Sequence, residues 1–316
     1  MRKLHTPNKL IDSFGRHIDY IRISITDRCD FRCVYCMTED MTFLPRSKIL
    51  SLEEIAILCE IFVDLGINKI RLTGGEPLVR KNVTRLIKQI GKLDGLKELA
   101  ITTNGSQLEK YAQEIRRSGV SRINISLDTL NSKKFKELTR TGSLSKVLLG
   151  IETAKQAKFD RIKINAVILK NRNSDEVLKL AQFAIDNDLD IAFIEEMPLG
   201  AIVEHDRAEA FYPSNQIKKD LERILDLEET ELKTNGPSKY MLVKGTNTKI
   251  GFISPHSNKF CGDCNRIRLT AEGQLLLCLG QENSIDLKGL LRANRDNKAI
   301  IKEAVISGLK NKPKEH

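Results

Sequence analysis

Polar and apolar residues alternate along Tyr20–Thr26. Ile21, Ile23 and Ile25 share one side of an extended chain, and Arg22, Ser24 and Thr26 share the other. The same period recurs in Lys69–Thr73, Arg122–Leu127 and Arg161–Leu169, each with apolar residues opposed to bases, amides and hydroxyls. Glu98–Thr103 and Asp190–Glu195 complete six predicted strands. Helical patterns fall between them: Ser51–Leu65, a stretch after Gly74-Gly75 through Leu93, Leu108–Ser118, Leu144–Lys158, Ser174–Asn187, and one opened by Pro213-Ser214 to about Leu227. The first of these is the best marked. Ser51 and Glu54 form a capping box, and Ile55, Leu58, Cys59 and Phe62 lie on one face.

Strand–helix alternation over about 210 residues predicts parallel strands joined by right-handed crossovers. A parallel sheet covered on both faces carries two apolar faces. Here one face is polar and basic on four strands, which favours a barrel with a wet lumen over an open doubly wound sheet. After residue 228 the pattern changes. Tyr240–Val243, Lys249–Ile253, Arg266–Thr270 and Gln274–Cys278 read as short antiparallel strands, with Ala271-Glu272-Gly273 as a turn, and Asp296–Leu309 reads as a closing helix. The expected fold is therefore α/β: a partial (β/α)6 TIM-like barrel over residues 1–227. A C-terminal antiparallel-strand and helix segment, 228–316, covers the open side.

The 316 residues are 41% hydrophobic, enough for a sizeable core. No apolar run reaches the ~18 residues of a spanning helix, and the basic start MRKLHTPNKL is not followed by the apolar stretch of a secretory signal. A net charge of +10 fits an anionic ligand, a nucleic acid or an acidic protein. With 5% aromatics, no Trp and no binding-helix signature, nucleic acid is the weakest of the three. Six of the seven cysteines form two tight triplets, which predicts metal binding in a reducing cytoplasm rather than a disulfide framework.

Cys29, Cys33 and Cys36 form C-x3-C-x2-C directly after the first strand, where barrel active sites lie. Three thiolates can hold three irons of a [4Fe–4S] cluster and leave the fourth open to a ligand. Zinc would want a fourth protein ligand, and none is nearby. Cys261, Cys264 and Cys278 form C-x2-C-x13-C. A zinc site completed by His256 is one reading. A second cluster is the other, favoured by Arg266 and Arg268 on one strand face beside the triplet.

These residues resemble the radical S-adenosylmethionine (SAM) superfamily and, within it, the GTP 3′,8-cyclases of molybdenum cofactor biosynthesis. The resemblance runs from about Asp19 to Cys278. It rests on T-D-R-C-D-F-R-C-V-Y-C-M, I-R-L-T-G-G-E-P-L-V-R, T-T-N-G, I-N-I-S-L-D, F-I-E-E-M and F-C-G-D-C-N-R-I-R-L. It implies two [4Fe–4S] clusters, with Cys29, Cys33 and Cys36 on one and Cys261, Cys264 and Cys278 on the other. It implies SAM against Tyr35, Gly75, Ser126 and Met197, near the carboxylate of Glu76. GTP is placed on Arg22, Arg71, Thr102, Lys163, Arg266, Ile267 and Arg268. The implied reaction takes a hydrogen from C3′ of GTP with a 5′-deoxyadenosyl radical and joins C3′ to C8, giving (8S)-3′,8-cyclo-7,8-dihydroguanosine 5′-triphosphate. The implied partners are GTP, an electron-donor protein and a downstream enzyme that takes the product, with a homodimer as one form of assembly.

Two departures stand out. Members carry an Arg before F-I-E where this chain has Ala192, and members end in Gly-Gly where this chain ends Lys314-Glu315-His316. Both fall on the substrate side and predict SAM cleavage loosely coupled to cyclisation, with an Arg restored at 192 tightening it. The alternatives are another radical SAM enzyme with an auxiliary cluster, such as a peptide maturase, and a nucleic-acid-binding iron–sulfur protein. Cys59 reads as core, His256 as a solvated loop residue unless it binds zinc, and Lys310, Lys312 and Lys314 as a solvated tail.

Overall fold

The computed structural model describes residues 10–197, 206–230, 236–257, 261–279 and 284–315. Strand–helix pairs run as read from the sequence. They are β1 Tyr20–Ser24, α1 Leu52–Asp64, β2 Lys69–Thr73, α2 Val83–Ile90, β3 Glu98–Thr103, α3 Leu108–Arg117 and β4 Val120–Ser126. Helices α4 Ser132–Thr139 and α5 Leu144–Gln156 lead to β5 Arg161–Ile168, α6 Val177–Asp186 and β6 Asp190–Glu195. Helix α4 has no marked periodicity in the sequence, because its Lys-rich octet has only a short apolar stripe, Phe135 and Leu138. At α1 the Ser51 hydroxyl accepts from the Glu54 amide and the Glu54 carboxylate from the Ser51 amide, as the capping box requires.

Strands β1 to β6 pair in parallel, in chain order. Their outward side chains, among them Ile21, Ile23, Ile70, Leu72, Ile123, Ile125 and Ile164, are fully buried beneath the helices. Each such side chain contributes about 1.5–3 kcal/mol, so the outer layer holds the sheet curved around a polar inside.

The C-terminal part consists of α7 Arg207–Ala210, α8 Ser214–Glu222, β7 Leu227–Glu229, β8 Lys239–Val243, β9 Lys249–Ile253, β10 Arg266–Leu269, β11 Gln274–Leu276, β12 Ser284–Asp286, α9 Leu287–Ala293 and α10 Lys298–Leu309. These strands extend the same sheet at both edges, in the order β12-β11-β10-β1-β2-β3-β4-β5-β6-β9-β8-β7. The expected antiparallel pairs β8–β9 and β10–β11 form, and one feature goes beyond the sequence reading. Strand β10 joins β1 in parallel and β9 joins β6 in parallel; only their outer neighbours are antiparallel. Local patterning reports hairpins such as β8–β9, but a parallel partner far away in sequence, 246 residues for Tyr20 and Arg266, leaves no local mark. Among the described residues no helix is long and apolar enough to cross a membrane.

Candidate active site

The polar faces of the inner strands meet in layers set by register. Arg268, Arg22 and Arg71 stand side by side on β10, β1 and β2, and one layer away Arg266, Tyr20 and Lys69 do the same. Like charges directly opposite each other destabilise a sheet. Lys69 and Arg122 are neutralised by Glu98, at 2.9 and 3.5 Å. Among the described residues Arg22, Arg71 and Arg268 have no carboxylate partner. Arg71 donates to the Tyr20 hydroxyl (2.8 Å) and to Thr102 Oγ1 (3.3 Å). The Arg22 Nε is buried without a hydrogen bond. Burial, then Arg22 and Arg266, push Arg268 down to about 9. Burial raises the Tyr20 phenol, but Arg71, Arg22 and Lys69 outweigh it and bring it down to about 8. Uncompensated bases in a buried layer are a site for an anion.

Two cavities flank this layer. One of about 420 Å³ is lined by Cys29, Cys33 and Cys36 together with Tyr35, Gly75 and Ser126. The other, of about 250 Å³, is lined by Cys261, Cys264 and Cys278 with Arg71, Lys163 and Arg266. Arg22, Thr102, Arg268 and Leu279 belong to both, so they form the wall the two spaces share. Met197 lines the second cavity and also a cleft beside Tyr35 and Cys36. The structure thus brings the residues expected to hold the clusters, SAM and GTP to the walls of these spaces, with the exception of the Ile267 side chain. That side chain is buried in the apolar core on the opposite face of β10 and can offer the lumen only main-chain groups.

The first cysteine loop is held from two sides. Arg32 and Val34 donate their amides to the carbonyls of Thr139 and Leu138 (2.9 Å each), and Phe31 meets Phe135 edge-on. The turn after β2 presses on the other side. A Cβ at Gly75 would sit 2.4 Å from the Arg28 carbonyl oxygen, and one at Gly74 2.5 Å from that of Thr26. These glycines let β2 approach the cysteine loop itself, a nearer demand than approach to a ligand. Glu76 is corrected likewise. Its carboxylate is fully buried outside the cavity lining, accepting from Leu78 N (2.9 Å), Thr103 Oγ1 (2.8 Å) and Asn104 N (2.6 Å). Burial pushes it up to about 7. Burial also pushes Cys29 up to about 11 and Cys33 well above an ordinary thiol, with nearby carboxylates adding to both. Asp128 is raised to about 6 by burial and accepts from the Tyr35 hydroxyl at 2.5 Å.

Among the described residues no three His, Cys, Asp or Glu side chains converge on one point as a single ion would require. The thiols stand instead around cavity walls, and no disulfide joins them. Three soft donors around an open space suit a bound cluster with one iron left for a ligand.

The description "Radical SAM superfamily" matches residues 23–184, and "Molybdenum Cofactor Synthesis C" matches 189–316. A protein of Ectopseudomonas mendocina named GTP 3′,8-cyclase is 53% identical over 99% of this chain and 94% of its own. One of Pseudomonas syringae pv. syringae with the same name is 55% identical over 97% and 93%. The chain belongs to the GTP 3′,8-cyclase family. A GTP 3′,8-cyclase 2 of Pseudomonas aeruginosa is 50% identical over 98% of this chain and 93% of its own. Radical SAM proteins such as these bind SAM and a [4Fe–4S] cluster. The crystal structure of Streptococcus suis SuiB bound to SAM superposes with a TM-score of 0.66, covering 94% of this chain and 69% of that one. At 15% identity it speaks for the fold alone.

Three lumen features of this family member were not legible in the sequence. Tyr240 accepts from Lys163 Nζ (3.0 Å), and its ring fills the space over Gly251, whose Cβ would meet it at 2.9 Å. Gly251 is the cross-strand neighbour of fully buried Ala192, so tyrosine occupies the ground beside that position. Arg16 and Lys312 are the other two. Lys312 overturns the expectation of a solvated tail: it is 2% exposed, with its ammonium among the cysteine loops of the second cavity. Its backbone lies past the end of α10, where only the charge run shows in the sequence. His256 is solvent-exposed, with Nε2 2.8 Å from the Glu196 carbonyl oxygen and its ring edge-on to Phe211.

Proposed function

We propose that the chain converts GTP to (8S)-3′,8-cyclo-7,8-dihydroguanosine 5′-triphosphate, an early step of molybdenum cofactor biosynthesis, as its relatives' name describes. The observation that carries this reading is the shared wall: two cysteine-lined cavities meet at Arg22, Thr102 and Arg268. That arrangement seats two reactants face to face and puts uncompensated bases between them.

In this reading Cys29, Cys33 and Cys36 hold one [4Fe–4S] cluster and Cys261, Cys264 and Cys278 a second. The first cluster, with SAM, supplies the 5′-deoxyadenosyl radical. Tyr35, Gly75, Ser126 and Met197 face SAM. Arg22, Arg71, Lys163, Arg266 and Arg268 hold the triphosphate, with Thr102 and the Ile267 backbone beside it. A triphosphate carries about four negative charges, and forked guanidinium donors bind it with direction as well as charge. The protein's share of catalysis is to place C3′ of the ribose against the radical and to keep water out while the cofactors do the hard chemistry. Residues 1–227 present SAM and supply Arg22, Arg71, Thr102 and Lys163 to the triphosphate, and residues 228–316 add Arg266, Arg268 and the second triplet. An electron-donor protein and an enzyme that takes the product are the partners this chemistry requires, in the cytoplasm.

The test is anaerobic incubation with SAM, dithionite and GTP, with products read by mass spectrometry. The expected result is cyclised nucleotide alongside 5′-deoxyadenosine, with about eight irons per chain. SAM cleavage with GTP returned unchanged under saturating conditions, or stoichiometric zinc at the second triplet, would overturn it.

A further inference from the structure

A buried ammonium that forms no ion pair among the described residues lies behind the second cysteine triplet. Lys312 is 2% exposed, and among the described residues no carboxylate pairs with it. Burying an ammonium is costly unless something of opposite sign compensates it. Its Nζ donates to the carbonyl oxygen of Arg266 at 3.0 Å and to that of Leu277. Arg266 lies two residues after Cys264, and Leu277 directly precedes Cys278. One ammonium therefore ties together the two stretches of chain that carry the triplet. An ammonium has three N–H donors. Two are spent on these carbonyls, and the third is left for the cavity that Lys312 lines.

The segment that delivers Lys312 is itself clamped. Arg16 donates to the carbonyl oxygens of Pro313 (2.6 Å), Lys314 (3.0 Å) and Cys261 (2.8 Å). Its Nε is fixed by Asp12 at 2.6 Å, and the Asp12 carboxylate also accepts from the Phe14 and Arg16 amides. One end of the chain thus holds the other against Cys261, while Lys312 reaches the remaining two cysteine stretches.

We propose that Lys312, held in place by Arg16, is a positioning residue for the anionic group that the second triplet binds: it sets the spacing of the three thiolates and supplies the positive charge that offsets theirs. This rests on the reading of that triplet as a cluster site. The geometry gives Lys312 two separable effects. Through its carbonyl bonds it keeps the site closed, so iron leaves slowly. Through its charge it makes the bound group easier to reduce.

The test compares the full chain with its Lys312→Met and Lys312→Arg variants after anaerobic reconstitution. Iron release to a chelator and the reduction potential of each cluster, by electron paramagnetic resonance titration, are the readouts. For Lys312→Met we expect iron to leave the second site at least threefold faster and its potential to move to a more negative value. Iron at Cys29, Cys33 and Cys36 and SAM cleavage should stay unchanged, which also reports that the variant is folded. Lys312→Arg keeps the charge and should keep the potential while still releasing iron faster, because its fork does not fit two carbonyls set for an ammonium. Equal release and equal potential in Lys312→Met and the parent would overturn the proposal alone. Only four irons in the parent would overturn the reading of the triplet, and this proposal with it.

Discussion

The two cysteine triplets differ more in their surroundings than in their spacing. The first is set among carboxylates. Asp30, Glu76 and Asp128 lie close enough to add to the burial that raises Cys29 and Cys33. The second is set among bases. Burial raises Cys278 despite the opposing pull of Lys312, but at Cys264 Lys312 and Arg266 outweigh burial and bring the thiol below its ordinary value. One end of the lumen therefore suits a ligand that brings its own positive charge, as SAM does with its sulfonium and amino groups, and the other a ligand that brings negative charge. The contrast teaches that the same three-thiolate device is specialised by what lies within a few ångströms of it, and that sequence spacing alone does not reveal which end takes which partner.

The largest effect expected separates the two ends outright. Replacing Cys29, Cys33 and Cys36 together by Ala should remove about half the iron and abolish 5′-deoxyadenosine formation. Replacing Cys261, Cys264 and Cys278 should remove the other half and abolish cyclisation while SAM cleavage persists. Loss of SAM cleavage in both would mean that the ends do not act independently. Next, Arg268→Ala in the shared wall should weaken GTP binding, by isothermal titration, by roughly 1.5–3 kcal/mol. The same change relieves the like-charge contact with Arg22, so the GTP-free protein should melt at a higher temperature. Affinity lost together with Tm would point to misfolding rather than to anion binding.

A smaller effect tests the carboxylate end. Glu76 titrates near 7 in the folded chain against 4.5 for an ordinary Glu, raised first by burial. A folded value above the unfolded one means that its contribution to stability is full below about 4.5 and is lost as pH rises through about 7. Glu76→Gln should flatten that part of the Tm-against-pH curve for the iron-free protein. An unchanged slope would show that its three hydrogen bonds already offset the burial. The smallest concerns Ala192. With the Tyr240 ring packed over Gly251 beside it, Ala192→Arg has to displace that ring, which by the usual cost of overpacking destabilises by about 1–3 kcal/mol. If the variant instead keeps its Tm and forms more cyclised product per 5′-deoxyadenosine, the position is a true gap and not a filled one.

Much of this was open to reading because period-2 patterning is a local property. Arg22, Arg71, Lys163, Arg266 and Arg268 reveal their face within five residues of sequence, and six parallel strands follow from repetition. What could not be read were relations across long separations. Strand β10 beside β1, Tyr240 over Gly251, and Lys312 between Arg266 and Leu277 depend on where distant segments dock. Glu76 shows a different limit. A carboxylate next to two glycines reads as a ligand group, and only the closure of the Thr103 and Asn104 donors around it shows that it braces one loop against another.

Because β10 lies beside β1, Asn265 bonds back to Asp19 across 246 residues. During synthesis the first strand therefore waits with an open edge until most of the chain has left the ribosome. Such late, distant pairing makes folding slow and leaves an adhesive edge exposed in the meantime. The cavity wall that β10 contributes is likewise missing until the polypeptide is nearly finished, so a half-made chain lacks Arg266 and Arg268 beside Arg22. Chaperone dependence during translation, measured as the yield of soluble protein with and without trigger-type holdases, is the observable trace of that delay.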